Sequence, residues 1–326
     1  MIVVAGEAVV DLVGEPDGRY RAVPGGSPSN VAVGLARLGM TTELLARLGT
    51  GRFGQLLRDH LTGNHVGLSH AVVANQPATL AVVSLDQAGR ATYDFYVEGT
   101  ADWAWTPAEL PDPLPRGTVA LCTGSLAIAL EPGGTAITDL IRREHQRGEV
   151  TVVLDPNVRP ALLGHHRAVR DRLESQLAYA DVVKVSDEDL AWLAPGETIQ
   201  DVAAHWLGLG PSMVVVTLGP RGAYAATRRG REINVAARQV DLVDTVGAGD
   251  AFTAGLVDAL QQRRLLGGTS VRDRLATLDD ATMHEIVDRA GLVAAVTCGR
   301  QGADPPTAGD LAVLGDGPAD LRVGEQ

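Results

Sequence analysis

Short apolar runs alternate with longer amphipathic stretches along the second half of the chain, and this alternation limits the possible folds. Runs rich in Val, Ile and Leu predict buried strands, and apolar residues at every third or fourth position predict helices. The predicted strands after residue 118 occupy residues 119–123, 151–155, 182–185 and 213–218, and predicted helices separate them. The pattern is typical of an α/β fold with a mostly parallel sheet that is covered by helices on both faces.

The composition of the 326-residue chain narrows the classes of partner. With 45% hydrophobic residues, the chain is long enough for one large α/β domain with an accessory piece, or for two ordinary domains. The net charge of −12 argues against nucleic acid or an anionic membrane as a partner. Cys122 and Cys298 form no disulfide or metal pattern, and the chain shows no signal peptide and no membrane span. We therefore expect a cytoplasmic protein.

Residues 244–252 read DTVGAGDAF and predict a glycine turn that opens a helix. The N–H groups of a first helical turn lack partners, and together with the helix dipole they favour a bound anion. Asp250 lies in this turn, where a carboxylate would repel a phosphate unless it acts on a neighbouring group. Phosphoryl transfer needs both donors for the charge and a base for the attacking hydroxyl. A plain helix start capped by an acid explains the turn alone equally well.

The N-terminal part predicts a second, smaller sheet. Residues 2–5 predict a strand that residues 8–12 extend or restart, residues 19–23 predict a short exposed strand, and residues 43–47 predict a further strand. Residues 79–85 and 91–96 predict a hairpin with its turn at 86–89. Together with residues 19–23, this hairpin would form a small antiparallel sheet that stands off the main body.

A glycine pair precedes the first predicted helix. Gly25 and Gly26 would let a ligand approach the backbone, and the Asn30 amide could bind sugar hydroxyls. Ser27 or Ser29 is the predicted cap of this helix. An ordinary glycine turn explains the glycine pair equally well when it is taken alone.

Polar residues also follow the predicted strands of the second half. Asp155, Ser186, Gly219 and Gly247 follow strands, so we expect them at one edge of the sheet, where ligands of such folds bind. Arg159 belongs to a rigid loop between two prolines, and Lys184 is the only lysine of the chain. Ser186 and Asp189 resemble a helix cap, and the acids at residues 187–189 could order a hydrated Mg²⁺; the two roles are compatible. Neither a P-loop nor a dinucleotide fingerprint is present.

Two widely separated segments together resemble the ribokinase-like (PfkB-type) sugar kinases: GGSPSNVA at residues 25–32 and DTVGAGDAF at residues 244–252. The resemblance covers nearly the whole chain. It implies a single domain over residues 1–326, with a central mostly parallel sheet flanked by helices on both faces. It also implies a small β-sheet lid formed by about residues 12–24 and 78–105.

The resemblance assigns roles to single residues. Asp250 would be the catalytic base, and the turn around it would be the anion hole, with ATP and Mg²⁺ as cofactors and K⁺ as an activating cation. The implied anion-hole residues are Gly247, Ala248, Gly249 and Asp250. The implied sugar contacts are Asp11, Gly25, Gly26, Asn30, Tyr96 and Arg159. The implied ATP contacts are Lys184, Ser186, Asp189, Thr217, Gly219, Gly222 and Gly249. The implied monovalent cation site comprises Asp244, Val246, Thr297, Arg300 and Gly302.

Within the family, DPNVRP at residues 155–160 resembles fructokinases, which implies phosphorylation of D-fructose to fructose 6-phosphate. The alternatives are a kinase for 2-keto-3-deoxygluconate, ribose or a nucleoside, and a non-catalytic sugar-binding relative. In 2-keto-3-deoxygluconate kinases an arginine usually follows a lid tyrosine, whereas Val97 follows Tyr96 here. Ser186 and Asp189 replace the Asn and Glu of a family motif that is linked to Mg²⁺. The resemblance also implies a homodimer formed through the lid.

Overall fold

The predicted strands form a large mixed sheet and two small sheets in the computed structural model, which describes residues 1–15, 17–85 and 91–314. The strands in chain order are β1 (Ile2–Ala5), β2 (Val9–Gly14), β3 (Tyr20–Gly25), β4 (Thr42–Leu45), β5 (Arg47–Gly49), β6 (Val72–Ala74), β7 (Leu80–Leu85), β8 (Ala91–Tyr96), β9 (Ala120–Gly124), β10 (Thr151–Asp155), β11 (Val182–Ser186), β12 (Met213–Thr217), β13 (Ala223–Thr227) and β14 (Glu232–Val235). The helices are α1 (Ser27–Arg37), α2 (Arg52–Gly63), α3 (Gly133–Arg147), α4 (His166–Leu177), α5 (Asp187–Leu193), α6 (Ile199–Leu209), α7 (Ala248–Gln262), α8 (Val271–Ala276), α9 (Asp280–Cys298) and α10 (Ala308–Leu314).

The main sheet has eight strands in the order β14-β13-β12-β11-β10-β9-β1-β4. The six strands from β12 to β4 are parallel, and β13 and β14 are antiparallel to their neighbours. The six parallel strands are mostly apolar because both of their faces are buried. In β1, Ile2 and Val4 face the core that contains α1, α7 and α9, whereas Val3 and Ala5 face the core that contains α3 to α6. The predicted α/β class with a mostly parallel sheet is confirmed.

Small residues fix the position of α7 at the carboxyl edge of the main sheet. A Cβ atom on Gly34 of α1 would lie 2.8 Å from the Cβ of Ala254, and one on Gly255 would lie 2.9 Å from the Cα of Ala290 in α9. Because these helices approach so closely, α7 has little freedom to shift along its neighbours. Its N-terminus, at residues 247–250, therefore has a fixed place.

The small sheet has the order β3-β2-β7-β8. Residues 8–12 restart as β2 and leave the main sheet. The hairpin prediction is confirmed in β7 and β8, while its turn at residues 86–89 lies outside the described residues. The expectation of a fully antiparallel sheet is wrong, because β2 and β7 run parallel. No single short turn can join two parallel strands, and the main-body residues between β3 and β7 supply that connection instead.

Three further expectations are wrong in detail. Neither Ser27 nor Ser29 caps α1, because the N-cap is Gly26 with a φ of 99° and no side-chain cap. Gly247 does not directly follow a strand, since the loop 236–246 separates it from β14. Residues 43–47, predicted as one strand, are divided between β4 and β5, and β5 pairs with β6 in a separate sheet.

Within the described parts of the chain, every helix is too short or too polar to cross a membrane.

Candidate active site

A cleft of about 500 Å³ lies between the carboxyl edge of the main sheet and the small sheet. Its walls come from residues that follow β1, β9 and β10, from β2, β7 and β8, and from the start of α7. The predicted site residues that line it are Asp11, Gly26, Asn30, Arg159, Lys184, Val246, Gly247, Gly249 and Asp250. The sequence separates these residues by more than two hundred positions, and the fold brings them into one cavity.

The turn at residues 247–250, hereafter the anion turn, has the backbone that the sequence predicts. Gly247 is the N-cap of α7 and has a φ of 76°, in the left-handed region that favours glycine. A Cβ atom there would also lie 2.6 Å from the Cβ of Ala303. Among the described residues, the N–H groups of Gly249 and Asp250 have no hydrogen-bond acceptor. The turn therefore offers two free donors and the positive end of a helix dipole to an anion.

One member of the predicted anion hole is already engaged. The Ala248 N–H donates to the carbonyl oxygen of Thr245 at 3.2 Å. This bond closes the turn that precedes α7, so it shapes the anion turn and takes up a donor. The free donors are fewer than the sequence predicts.

Asp250 is buried at the end of the cleft that the anion turn forms, with 8% of its surface exposed. Its Oδ1 accepts from Ser27 Oγ at 2.6 Å, and its Oδ2 accepts from Asn30 Nδ2 at 2.8 Å. Burial raises the pKa of Asp250, and these two hydrogen bonds lower it; the Asp155 carboxyl raises it and Lys184 lowers it to a smaller extent. The result is an oriented carboxyl that is more basic than an exposed one.

A buried ion pair supports the anion turn from behind. Lys184 Nζ donates to Asp155 Oδ2 at 2.9 Å, and Thr253 Oγ1 of α7 donates to the same oxygen at 2.9 Å. Lys184 Nζ would lie 3.1 Å from a Cβ atom on Gly249, so the ammonium group reaches the underside of the turn. Glycine at residue 249 gives the lysine this access, and a positive charge at this position favours an anion on the turn.

Asp11 and Arg159 also line the cleft, and their charges interact. Burial raises the pKa of Asp11 to about 6, the Arg159 guanidinium lowers it and Asp250 raises it further. Gly25 does not line the cleft, but a Cβ atom on it would lie 2.4 Å from Asp11 Oδ2. The predicted role of Gly25 as a direct sugar contact therefore changes to one of leaving room for the Asp11 carboxyl.

Several cleft residues were not among the implied contacts, although the sequence suggests that the loop between two prolines presents Asn157 together with Arg159. Glu7, Ser125 and Asn157 line the cleft just after β1, β9 and β10, and Phe95 reaches it from β8. Ser125 and Asn157 have φ values of 53° and 37°, which costs on the order of 1 kcal/mol or more for a residue with a side chain. A survey of every polar residue that follows a parallel strand would have found Glu7, Ser125 and Asn157. Phe95 was missed because the sequence does not show which side chains of β8 face the cleft.

Two predicted contacts point elsewhere. Tyr96 lies on the face of the small sheet opposite Phe95 and is 60% exposed, so the structure does not bring it into the cleft. Asp189 accepts the Val158 N–H at 3.1 Å and donates its own N–H to Ser186 Oγ at 3.0 Å. It thus supports the loop before Arg159 and completes the helix cap. Of the three acids at residues 187–189, Glu188 is the one that lines the cleft.

The other predicted ATP contacts lie at the same sheet edge but outside the lining of the cleft. Thr217, at the end of β12, is the β-sheet partner of Ser186. Gly219 and Gly222 follow in a short 3₁₀ turn with φ values of 56° and 98°. A Cβ atom on Gly222 would lie 1.9 Å from the carbonyl oxygen of Val235, so this glycine allows the turn to pack on the end of β14.

The predicted cation residues are brought together around Asp244. Its Oδ1 accepts the Val246 N–H at 3.0 Å, and its Oδ2 accepts the Gly302 N–H at 2.8 Å. Thr297 lies in the last turn of α9, and Arg300 follows that helix. The Thr297 hydroxyl donates to the Val293 carbonyl oxygen, and the Arg300 guanidinium faces Asp304 and Asp310. Only the backbone carbonyl groups of these two residues are suitable cation ligands. A carboxylate with carbonyl oxygens is a donor set that suits a hard cation such as K⁺.

The chain is similar to a family of known kinases along nearly its whole length. The profile described as pfkB family carbohydrate kinase matches residues 1–308. A fructokinase of Rhizobium leguminosarum bv. trifolii is 35% identical over 290 residues, which are 87% of this chain and 86% of that protein.

Solved structures give the same picture. The structure of fructokinase with bound ATP from Xylella fastidiosa has a TM-score of 0.87 at 26% identity and covers 96% of this chain and 97% of that one. A fructokinase double mutant from Vibrio cholerae O395, with fructose, ADP and potassium ion bound, has a TM-score of 0.79 at 30% identity and covers 93% of this chain and 94% of that one.

Proposed function

The chain belongs to the pfkB family of carbohydrate kinases and is a phosphotransferase, and we propose that it transfers the γ-phosphoryl group of ATP to D-fructose, with fructose 6-phosphate as the product. The observation that carries this proposal is the Asp250 carboxyl, which is held by Ser27 and Asn30 beside the free N–H groups of the anion turn. The fructokinases to which the chain is similar, with ATP in one case and fructose and ADP in another, support the choice of both substrates.

Asp250 is the general base of the proposed reaction. A primary hydroxyl of the sugar donates to the carboxylate of Asp250, which takes up its proton as the oxygen attacks the phosphorus atom. Burial raises the pKa of Asp250, and the higher basicity suits proton transfer from an alcohol. Ser27 and Asn30 keep both carboxylate oxygens oriented toward the cleft.

The anion turn stabilises the transferring group. The free N–H groups of Gly249 and Asp250 point along the axis of α7, and Lys184 adds a positive charge beneath them. Such fixed donors stabilise negative charge without reorganising during the reaction. Asp155 Oδ2 accepts hydrogen bonds from both Lys184 and Thr253, so it holds the lysine against the first turn of α7.

Magnesium would accompany ATP. Among the described residues, no cluster of three or more His, Cys, Asp or Glu side chains can share one metal ion. A hydrated Mg²⁺ held mainly by the phosphates fits this arrangement, with Glu188 as its protein contact. Bound with ATP, Mg²⁺ would neutralise phosphate charge. Asp189 is already hydrogen-bonded to Val158 and Ser186. The segment 186–189 therefore contributes to the site by placing the start of α5, and not through the Asp189 carboxylate.

A monovalent cation, K⁺, would bind next to the anion turn through Asp244 and nearby carbonyl groups. The bonds from Asp244 to the backbone of residues 246 and 302 support this assignment, because they link the turn to the segment after α9. We expect the kcat to be several-fold higher in K⁺ than in the same concentration of tetramethylammonium. Asp244→Asn should remove most of the difference, and equal rates of the unchanged enzyme in both salts would contradict the cation site.

The charges at the sugar end favour a neutral ketose. Three carboxyl groups, those of Glu7, Asp11 and Asp250, line the cleft there, and Arg159 is the cation that acts on two of them. An acidic sugar such as 2-keto-3-deoxygluconate would meet net repulsion. The acidic sugar is therefore the less favoured alternative, and ribose or a nucleoside remains the neutral competitor. Asp250 itself argues against a non-catalytic binding protein, which has no need of a base.

The small sheet acts as the lid in this proposal, and it closes over the sugar to exclude water. Its cleft-facing side chains include Asp11, Ala81 and Phe95. Its opposite face exposes Tyr20 and Tyr96, by 56% and 60%, and this is where a homodimer would form. The reaction would take place in the cytoplasm.

ADP release with a panel of sugars tests the proposal. We expect ATP and fructose to give the highest kcat/KM, with ribose, a nucleoside and 2-keto-3-deoxygluconate at least about tenfold lower. Phosphorus NMR of the product would identify the phosphorylated hydroxyl. Release of ADP that does not depend on any sugar, or a clear preference for the acidic sugar, would contradict the proposed function.

A further inference from the structure

Glu7 is a buried acid in the cleft wall whose role the proposed reaction leaves open. It follows β1 at the carboxyl edge of the main sheet, is 2% exposed and lines the cleft. Its Oε2 atom is buried and has no hydrogen-bond partner among the described residues. Buried carboxyl oxygens nearly always have partners, so an unpaired one in a residue that lines the cleft points to a partner that enters the cleft.

The backbone on both sides of Glu7 is tightly fixed. Gly6 has a φ of +156°, and a Cβ atom on it would lie 2.3 Å from Cγ of Pro28. A Cβ atom on Gly26 would lie 2.8 Å from the carbonyl oxygen of Glu7. These close contacts lock residues 6–8 against the start of α1. The carboxyl therefore keeps its place in the wall of the cleft.

The groups around Glu7 shift the pKa of its carboxyl in opposing directions. Burial raises the pKa of Glu7 to about 7, and a hydrogen bond with the Ser125 side chain lowers it. Asp102, itself buried with a raised pKa, raises it further, and Arg159 lowers it. An added hydrogen-bond donor at Oε2 would favour the ionised form. A sugar hydroxyl is such a donor and is small enough for the cleft.

We propose that Oε2 of Glu7 accepts a hydrogen bond from a sugar hydroxyl other than the one that is phosphorylated, which makes Glu7 a specificity-determining contact. This inference rests on the proposed function, because it takes a neutral sugar as the ligand. Glu7 and Asp11 then bind two parts of the sugar, and the reacting hydroxyl is left to Asp250. Without Glu7, the ring keeps its place near Asp11 and loses its fixed orientation.

Steady-state kinetics of Glu7→Ala and Glu7→Gln test the contact. We expect the alanine variant to raise the sugar KM at least tenfold, while the KM for ATP stays within about threefold. The glutamine variant keeps an oxygen acceptor and should lose less. Glu144→Ala is the matched control, since Glu144 is equally buried but pairs with Arg147 in α3, away from the cleft lining. An unchanged sugar KM in Glu7→Ala would overturn the inference.

Monodeoxy sugars identify the hydroxyl that Glu7 binds. One analogue should have the same KM with the unchanged enzyme and with Glu7→Ala, because the interaction is already missing. The remaining analogues should lose affinity in Glu7→Ala as fructose does. If every analogue lost as much affinity in Glu7→Ala as fructose does, the proposed contact would be wrong.

The two proposals fail in different ways. If the unchanged enzyme prefers another neutral sugar, the same test applies to that sugar and its deoxy analogues. If the enzyme phosphorylates a sugar and its KM for that sugar is unchanged in Glu7→Ala, only the Glu7 contact is contradicted. An enzyme that phosphorylates no sugar contradicts both.

Thermal unfolding of the sugar-free protein gives an independent readout. The pKa of Glu7 is raised from 4.5 in an exposed chain to about 7, so ionisation of the unfolded chain increasingly opposes folding as the pH rises between these values. Glu7→Gln removes this opposition. It should raise the Tm, by less at pH 5 than at pH 7.5. A lower Tm at both pH values would show a structural carboxyl and overturn the assignment.

Discussion

As the proposed general base, Asp250 has to meet two requirements that conflict in an exposed carboxylic acid. A base must be basic enough to accept a proton from an alcohol, yet it must be ionised at the working pH. Burial of Asp250 raises its pKa, and the hydrogen bonds from Ser27 and Asn30 oppose that rise. If Asp250 is the base, as we propose, the balance between burial and these two donors sets the pH at which the enzyme becomes active.

Ser27→Ala should shift the acid limb of the pH–rate profile to higher pH. The Ser27 hydroxyl donates to Asp250 Oδ1 at 2.6 Å and stabilises the carboxylate, so its loss raises the pKa of Asp250 further. We expect the kcat at pH 6 to fall several-fold relative to the kcat at pH 9, measured by ADP release.

Ser29→Ala is the matched control for this shift. Ser29 is as deeply buried in α1, and its hydroxyl has no partner among the described residues. Its pH profile should follow that of the unchanged enzyme. A profile of Ser27→Ala that coincides with the control would contradict the role of Ser27.

At the scale of elements, the anion turn depends on the fit between α7 and the segment after α9. Gly247 needs a positive φ, and its Cα lies close to Ala303. Any side chain at residue 247 would push the turn away from residue 303 and disturb the free N–H groups of Gly249 and Asp250. The turn is therefore a product of its contact with the segment after α9 as well as of its own sequence.

Gly247→Ala should lower kcat by at least about 10²-fold, because the loss of oxyanion donors costs this much in other enzymes. The free energy of unfolding should fall by at least about 1 kcal/mol from the left-handed backbone alone. Kinetics and urea unfolding measure the two effects.

Gly268→Ala separates strain from function. Gly268 has a φ of +84°, but no atom lies within 4 Å of an added Cβ, and it contacts Glu149 at the opposite edge of the sheet. This variant should lose about 1 kcal/mol of stability and keep its kcat. Equal kcat values for the two variants would contradict the role assigned to Gly247.

The sequence predicts most elements of the main sheet because their strands are buried on both faces and their helices on one. It predicts the anion turn because glycine is required locally. It does not predict that Tyr96 points away from the cleft and Phe95 toward it, since a shift of one residue reverses the facing of β8. Nor does it predict that Asp189 supports the loop before Arg159, because that contact joins two distant segments. Glu7 was missed because a lone acid after a strand carries no motif.

At the scale of the whole molecule, Asp102 links the small sheet to the main body. Its carboxylate accepts the Ala8 N–H at 3.0 Å, just before β2, and both the N–H and the hydroxyl of Thr79, just before β7. Asp102 is 1% exposed, and burial raises its pKa to about 6. One side chain thus fixes two of the points at which the chain crosses between the sheets.

Asp102→Ala should lower the free energy of unfolding by about 3 kcal/mol, because it leaves two buried N–H groups without an acceptor. It should also raise the sugar KM, since β2 carries Asp11. Asp139→Ala is the control: Asp139 forms an exposed pair with Arg142, and its loss should cost less than about 0.5 kcal/mol. Similar unfolding midpoints for both variants in urea would contradict the linking role of Asp102.

We propose that the carboxyl group beside the anion turn performs the proton transfer of a fructose kinase. Asp250→Asn tests it most directly, because asparagine keeps the shape and an acceptor for Ser27 but cannot serve as the base. We predict that kcat with fructose and ATP falls by about 10²- to 10⁴-fold, while the Kd for fructose, measured by calorimetry, stays within about threefold. A kcat within tenfold of the unchanged enzyme, at retained fructose affinity, would show that Asp250 is not the base.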